Sequence, residues 1–278
     1  MKPFQKFLLV SDIDGTLANS EHRVSRKNKE AIAYFVAQGG HFAVATGRTQ
    51  KNVLPYMEGL EINAPCILYN GGALYSWQEQ RFLKSRHMES ADVADFLKHC
   101  MVAFPQMCIE VFTQEQLYII TDPANVDEHM EREKQEFVYG ALEEILDKTW
   151  IKIILCDRHE NLLASRERLA EFQLEDKTHH FFSADIYLEI VAKDVSKGDM
   201  LRELVSIQGF QDKIVIAAGD FQNDLEMLQF AHCGVAPANG QEYVKKVADV
   251  VAVSNDEDLL YNIIYCVIPT RFNLPMAK

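Results

Sequence analysis

The fold of this chain is decided within residues 7–16, which have the sequence FLLVSDIDGT. The first four residues form a continuous apolar run, typical of a strand buried on both faces of a parallel sheet. Two carboxylates follow at once, Asp12 and Asp14, and then Gly15. Open α/β sheets bind ligands at the carboxyl ends of their strands, and glycine permits a tight turn that aims both acids at one point. An Asp-Gly pair alone would indicate only a turn, but two crowded acids repel each other unless a cation lies between them.

Further apolar strands and amphipathic helices surround this stretch. Ser25 is predicted to cap a helix that Gly39 and Gly40 end. Apolar strands are predicted at 42–45, 66–69 and 213–218, and helices from about residue 49 and at 224–230. Alternating strands and helices, with strands that are apolar throughout, predict a parallel sheet covered on both faces.

The middle of the chain has a different pattern, because helices and half-polar strands come in blocks. Helices are predicted at 90–104, 126–137 and 160–172, and strands at 107–112, 116–121, 150–156, 179–183 and 187–191. This pattern favours an α+β module inserted into the sheet domain. We therefore expect a core domain formed by residues 1–85 and 188–278, with residues 86–187 as a second domain.

Two short motifs are candidate anion sites. Thr46 and Gly47, in the sequence ATGR, directly follow a predicted strand, where a hydroxyl and backbone N–H groups form a small anion cradle. Alternatively, Thr46 only caps the helix that follows. Lys197, in the sequence SKG, falls in the first turn of a predicted helix, where a cation is unfavourable unless an anion lies against it. The alternative is a solvated surface lysine.

The fourth motif is AGDFQND at residues 218–224. Asp220 and Asp224 are four residues apart, so a loop that turns into a helix can direct both inward, with the Asn223 amide beside them. They could instead be a helix cap and a favourable first-turn charge. Together with the first motif, four acids meet at one sheet edge and could not all stay ionised without a metal. Oxygen ligands of this kind favour Mg²⁺.

Composition bounds the remaining possibilities. The 278 residues are 48% hydrophobic and 25% charged, which is ample for a packed core, and the formal net charge is −13. Without a Lys/Arg cluster we expect no nucleic-acid partner, and an acidic chain also disfavours anionic membranes. The first apolar stretch is too short for a signal peptide or a membrane span, and the six cysteines show no metal-binding spacing. We expect a cytoplasmic protein that is a monomer or a weak homodimer.

The order of the motifs DIDGT, ATGR, SKG and GDFQND resembles the haloacid dehalogenase (HAD) superfamily of phosphotransferases. The inserted module resembles the large αβ cap of its Cof-type phosphatases, and the likeness covers essentially the whole chain. The resemblance implies a Rossmann-like parallel-sheet core with an inserted α+β cap domain that sets specificity. It also implies a Mg²⁺-dependent phosphatase that hydrolyses a small organic phosphoester, such as a sugar phosphate, through an aspartyl-phosphate intermediate.

The resemblance also implies roles for the residues that match its motifs. Asp12 would attack phosphorus, and Asp14 would protonate the leaving oxygen and then activate water. The expected metal ligands are Asp12, Asp14 through its backbone carbonyl, Asp220, and Asp224 in support. The phosphoryl group would be held by Ile13 through its backbone, Thr46, Gly47, Lys197 and Asn223. The sequences VAPANG at 235–240 and Leu-Leu at 259–260 depart from the usual pattern; neither includes a residue of this set, and they bear only on the expected shape of a loop near the site.

Three other functions share part of this pattern. A sugar phosphomutase of the same superfamily would carry the same motifs and a similar cap. A phosphate-binding regulator that has lost hydrolysis would not need both Asp12 and Asp14. A phospho-accepting receiver domain is about half as long and lacks DxDGT. Within the inserted module, the polar candidates for substrate contact are predicted to be ordinary strand or surface residues; they are Glu110, Tyr118, Lys152 and His180.

Overall fold

The computed structural model describes residues 2–113, 116–125, 136–207 and 209–275. The strands are β1 (Phe7–Ser11), β2 (His41–Val44), β3 (Cys66–Leu68), β4 (Ala73–Ser76), β5 (Arg81–Ser85), β6 (Cys108–Thr113), β7 (Leu117–Ile119), β8 (Phe137–Tyr139), β9 (Trp150–Cys156), β10 (Thr178–Ala184), β11 (Tyr187–Ala192), β12 (Ile214–Ala218), β13 (Cys233–Ala236) and β14 (Val250–Val251). The α-helices are α1 (Arg26–Ala37), α2 (Leu54–Met57), α3 (Ser90–Ala103), α4 (His159–Arg168), α5 (Lys197–Ser206), α6 (Leu225–Phe230), α7 (Glu242–Lys245), α8 (Leu259–Asn262) and α9 (Ile268–Phe272).

The chain divides into two compact units. The first unit comprises Met1–Lys84 and Ser196–Lys278, and the second comprises Ser85–Val195. Within the described ranges, no helix combines the length and the apolar character needed to cross a membrane.

The first unit is built on a parallel sheet with the strand order β14-β13-β12-β1-β2. Strand β1 lies between β12 and β2, and all five of its residues are buried. Val10 is in register with Ala43 of β2 and Ala217 of β12. Because the strands are parallel, the residues that follow β1 and β12 lie at the same edge of the sheet, as predicted.

Helix α1 illustrates how local sequence signals form the layer beside the sheet. The Ser25 hydroxyl accepts a hydrogen bond from the backbone N–H of Asn28, so it caps the helix as predicted. Ala31, Ile32 and Phe35 are its buried apolar positions. The chain leaves the helix through Gly39, whose φ of 92° is in the left-handed region.

Two sequence predictions for the first unit are wrong in detail. β3 is not a full member of the parallel sheet: it pairs antiparallel with β4 in a separate three-stranded sheet, and one parallel bridge, Ala45 to Ile67, links it to the end of β2. The helix predicted from residue 49 is the short α2, which begins later. The Thr49 hydroxyl accepts a hydrogen bond from the backbone N–H of Asn52 in a separate turn before the helix. α2 then begins with a proline in its first turn, a position that proline favours.

The second unit is an α+β module with the strand order β10-β11-β9-β6-β7-β8. All neighbouring strands are antiparallel except β7 and β8. Buried apolar residues of α3 and α4 belong to one cluster with strand residues; its members include Phe96, Leu97, Leu162, Ile109, Ile153, Leu155 and Ile190. Positions 126–135 of the helix predicted at 126–137 lie outside the described residues, and β8 begins at Phe137.

The second boundary between the units differs from the sequence prediction. We expected the core to resume at residue 188, but the second unit extends to Val195. The physical reason is that β11 is hydrogen-bonded to β10 on one side and β9 on the other, so residues 188–192 belong to this sheet.

Candidate functional site

Three carboxylates from separate parts of the sequence meet at the edge of the parallel sheet. Asp12 directly follows β1, Asp220 lies in the loop after β12, and Asp224 precedes α6. One oxygen from each lies within 4.8 Å of the others. Asp12 and Asp224 are buried, and Asp220 is half-buried. The convergence of Asp12, Asp220 and Asp224 predicted from the sequence is therefore present.

Lys197 supplies the positive charge within this acidic cluster. It is the first residue of α5, after the N-cap Ser196, and its side chain is 0% exposed, so it is not a surface lysine. Its Nζ donates hydrogen bonds to Oδ1 of Asp12 and to Oδ1 of Asp224, both at 2.7 Å. One buried cation thus bridges two of the three carboxylates.

Burial and mutual repulsion shift the ionisation of this group. Burial raises the pKa of Asp12 well above its ordinary value, and the charges of Asp224 and Asp220 add to the effect although Lys197 opposes it. Burial, followed by the charge of Asp224, raises the pKa of Asp220 to about 7. Burial opposes the charge of Lys197, but Asp12 and Asp224 outweigh burial and raise its pKa. Three carboxyl groups face one ammonium, so negative charge is left over when the acids are ionised. Their oxygen atoms are the donors that a hard cation prefers.

The three acids differ in how much of each side chain is already engaged. Oδ2 of Asp224 accepts the backbone N–H groups of Asp220 at 3.0 Å and Phe221 at 3.2 Å, and Lys197 occupies its Oδ1. Asp224 therefore fixes the loop and the lysine. Oδ1 of Asp220 accepts the Thr16 hydroxyl at 2.8 Å.

Gly15 permits the close approach of the first loop to Asp220. Its φ is +77°, and a Cβ at this position would lie 2.5 Å from Oδ2 of Asp220. A side chain here would both strain the backbone and displace the carboxylate. The glycine in DIDGT is thus required by the site as well as by the turn.

The side chain of Asp14 departs from the sequence prediction. Asp12 and Asp14 were expected to aim at one point, but Asp14 is absent from the three-carboxylate group and both of its oxygens accept hydrogen bonds from Arg48, at 2.9 Å from Nε and 2.8 Å from Nη2. The two acids are each paired with a different cation, which relieves the repulsion between them. The expected metal contact of Asp14 was through its backbone carbonyl, and this side-chain geometry does not bear on it.

The predicted phosphate-binding residues lie in adjoining loops. Thr46 is buried, and its Oγ1 accepts the N–H of Arg48 at 3.2 Å. Asn223 Nδ2 donates to Oδ1 of Asn70 at 3.0 Å, and a Cβ on Gly47 would lie 2.7 Å from Nδ2 of Asn70. Gly47, Asn70 and Asn223 are therefore close neighbours.

Ile13 lies within the DIDGT turn itself. Its side chain is 0% exposed, and it directly follows Asp12. This burial anchors the backbone of the turn beside the acidic cluster.

Asn70 is a site residue that sequence analysis missed. It lies in a 3₁₀ turn after β3 with a φ of 55°, between Tyr69 at 53° and Gly71 at 100°. Left-handed non-glycine residues cost about 1–3 kcal/mol each and concentrate at functional sites. The available signal was the sequence Asn-Gly-Gly at residues 70–72, directly after the strand predicted at 66–69.

Comparison with known proteins identifies the family. The family model for haloacid dehalogenase-like hydrolases matches residues 9–264. The chain belongs to the haloacid dehalogenase-like hydrolase family. The resemblance inferred from the four motifs is thereby confirmed, as is the predicted fold class of a parallel-sheet α/β core with an inserted α+β domain.

Named relatives and solved structures agree with this membership. The chain is 24% identical over 253 residues to 5-amino-6-(5-phospho-D-ribitylamino)uracil phosphatase YitU of Bacillus subtilis, covering 91% of this chain and 94% of that protein. It is 27% identical over 256 residues to YcsE of the same organism, which has the same activity name, covering 90% and 91% respectively. A haloacid dehalogenase-like hydrolase from Bacteroides thetaiotaomicron has a TM-score of 0.80 and 26% identity, covering 94% of this chain and 99% of that one.

Proposed function

We propose that this family member is a Mg²⁺-dependent phosphatase that hydrolyses a small organic phosphoester through an aspartyl-phosphate intermediate on Asp12. The observation that carries the proposal is the convergence of Asp12, Asp220 and Asp224 within 4.8 Å around the buried Lys197. The phosphatase names of YitU and YcsE support the reaction class. Phosphate monoesters hydrolyse so slowly in water that dividing the reaction into two covalent steps gives a large advantage.

The residues of the chain account for both proposed steps. In the first, an oxygen of Asp12 bonds to phosphorus while the ester P–O bond breaks, and Asp14, which must carry a proton taken up from solvent when the substrate binds, gives that proton to the departing oxygen. In the second, water attacks phosphorus and gives a proton to Asp14, and the bond between phosphorus and Asp12 breaks to restore the carboxylate. Asp14 acts first as an acid and then as a base, so both residues end as they began.

Mg²⁺ fits the donor set of the acidic cluster. Asp12, Asp220 and the backbone carbonyl of Asp14 would hold the ion, with Asp224 fixing the loop around it. When bound, Mg²⁺ supplies positive charge that offsets the repulsion between the attacking carboxylate and the phosphate. Lys197 contributes fixed positive charge to the same end, and Thr46, Gly47 and Asn223 offer polar groups to the phosphoryl oxygens.

The second unit is proposed to determine which phosphoester is bound. It carries buried polar groups that the sequence did not predict to be buried: Lys152 and Glu189 form an ion pair at 3.0 Å, with side chains 3% and 4% exposed. Glu110, on the neighbouring strand, is also buried. Burying these charges carries a desolvation cost that their pairing only partly offsets, so these residues are the first to substitute in tests of specificity.

Release of free phosphate is the direct test. The chain would be incubated with Mg²⁺ and a panel of sugar phosphates, pyridoxal phosphate, flavin mononucleotide, nucleotides and the uracil phosphoester named for the two relatives. We expect phosphate release from one or a few of these, and none with Asp12→Asn. Transfer of the phosphoryl group to another hydroxyl of the same sugar, without free phosphate, would instead identify a phosphomutase. No turnover across the panel, with phosphate bound, would favour a regulator.

A further inference from the structure

Arg48 forms a two-point contact with the proposed acid. Its Nε lies 2.9 Å from Oδ2 of Asp14, and its Nη2 lies 2.8 Å from Oδ1. Such a fork-to-fork pair fixes the plane and direction of the carboxylate as well as its position. Arg48 ends the ATGR motif, in which only Thr46 and Gly47 were predicted to bind an anion.

The arginine is itself held from several sides. Its backbone N–H donates to Oγ1 of Thr46, and its carbonyl accepts the N–H of Tyr69 at 3.1 Å. Its guanidinium lies 4.4 Å from the centre of the Tyr56 ring, a cation–π contact. Its side chain is only 10% exposed, whereas that of Asp14 is 45% exposed. Arg48 is therefore held in place by its own contacts, whereas the more exposed side chain of Asp14 is held by Arg48.

From this geometry we infer that Arg48 is a positioning residue, which holds the carboxyl group of Asp14 in the rotamer from which it transfers a proton to the leaving oxygen. The fork uses one lone pair of each Asp14 oxygen, and the second lone pair of either oxygen can carry that proton. The inference rests on the proposed function, in which Asp14 is the acid and base. A half-exposed aspartate has several staggered rotamers available. A displacement of about 1 Å in such a group can lower a rate by about 10²-fold, so fixing one rotamer has a measurable effect.

The inference makes a distinctive prediction about the leaving group. As the ester P–O bond breaks, its electron pair stays on the leaving oxygen. An alkoxide needs the Asp14 proton at that moment, whereas p-nitrophenolate is stable without it. Loss of the positioning contact therefore harms alkyl phosphates selectively. A residue that instead binds the phosphoryl group directly would affect both kinds of ester equally.

The test compares p-nitrobenzyl phosphate with p-nitrophenyl phosphate, two probes that differ by one methylene. kcat/KM with Mg²⁺ would be measured for wild type, Arg48→Gln and Arg48→Lys. Because general acids contribute about 10²–10⁴-fold, we expect kcat/KM for the benzyl ester to fall about 10–100-fold, and that for the phenyl ester by about 3-fold or less. Arg48→Lys should show the same selectivity, since an ammonium retains the charge but not the fork.

A double-mutant cycle separates positioning through Asp14 from any independent effect. Asp14→Asn alone should lower the benzyl rate far more than the phenyl rate. Adding Arg48→Gln to Asp14→Asn should then lower kcat/KM for the benzyl ester by less than a further factor of about 3, because the carboxyl group that Arg48 positions is gone. Arg26→Gln serves as the matched control: Arg26 forms a 2.7 Å pair with Glu30 on an exposed helix face, and both rates should be unchanged.

The outcomes that overturn the inference differ from those that overturn the proposed function. Equal losses for the two esters in both Arg48 variants, or an undiminished loss in the Asp14→Asn background, would refute positioning by Arg48 and leave the acid assignment intact. Equal losses for the two esters in Asp14→Asn itself would refute the acid assignment. Thermal unfolding identifies any variant that fails to fold, and Arg48→Lys decides the question if Arg48→Gln is unstable.

Discussion

Replacing Lys197 by Met tests whether one buried cation holds the acidic cluster together. The side chains of Lys197 and Asp224 are 0% exposed and that of Asp12 is 9% exposed, so water cannot replace the lost ammonium. Removing one partner of a buried ion pair costs about 3–5 kcal/mol. For a unit of this size, that corresponds to a fall in Tm of about 6–20 °C.

The pH dependence distinguishes this mechanism from simple loss of packing. The pKa of Asp12 is already raised by burial, and removing Lys197 removes the main opposing influence, so it should rise further. A folded-state pKa above the unfolded value means that the folded protein binds more protons, so its stability falls as pH rises through that range. The difference in unfolding free energy between wild type and Lys197→Met should therefore be largest near pH 8 and shrink towards pH 5.

The measurement is urea unfolding at several pH values, in chelator so that no metal contributes. Lys193→Met is the control, because Lys193 forms an exposed ion pair with Asp176 and its loss should cost less than about 0.5 kcal/mol. A destabilisation by Lys197→Met below about 1 kcal/mol, or one that is the same at pH 5 and pH 8, would refute the electrostatic reasoning.

Three further predictions concern catalysis. Asp12→Asn should abolish phosphate release while Mg²⁺-dependent phosphate binding persists, because an amide retains the shape of the carboxylate but is a poor nucleophile. Calorimetry with inorganic phosphate measures the binding. Retention of more than a few per cent of the wild-type activity would contradict the assignment of Asp12 as the nucleophile. Removal of metal by a chelator should abolish activity, and added Mg²⁺ should restore it. Ca²⁺ should inhibit, because this larger ion takes more oxygen ligands and would engage both oxygens of Asp12. Full activity with Ca²⁺ alone would exclude the role proposed for Mg²⁺. Exchange of residues 85–195 for the same module of a relative should change which phosphoester is hydrolysed, and an unchanged substrate profile would assign specificity to the first unit.

The sequence predicted the parts of the fold that depend on local signals. Strand β9 was predicted with its observed bounds, and α1 was predicted from Ser25 and Gly39, because apolar runs and caps act over a few residues. β3 was predicted as a full member of the parallel sheet, but it pairs with β4 and is linked to the end of β2 by one bridge, since an apolar run does not specify its partner. β13 and β14 were not predicted, because they are short and their pairing is decided by distant strands.

The site was predicted where residue type and strand order sufficed. Asp12, Asp220 and Asp224 could be placed together because parallel strands share an edge. The side-chain direction of Asp14 could not, since it depends on a partner 34 residues away, Arg48. Asn70 was missed because its place in the site depends on its contact with Asn223, 153 residues away, which no local signal specifies.

The position of β1 between β2 and β12 has a consequence for synthesis of the protein. β1 leaves the ribosome before β12 and must wait for it, because Phe7 is in register with Ile214. The contiguous second unit emerges complete in the meantime, and domains of this kind commonly fold as the chain is made. We therefore expect the nascent first unit to have an unpaired apolar edge until β12 has been synthesised, a state prone to aggregation and suited to chaperone binding. Asp12 and Asp220 come together only when this edge closes, so the acidic cluster is assembled among the last events of folding.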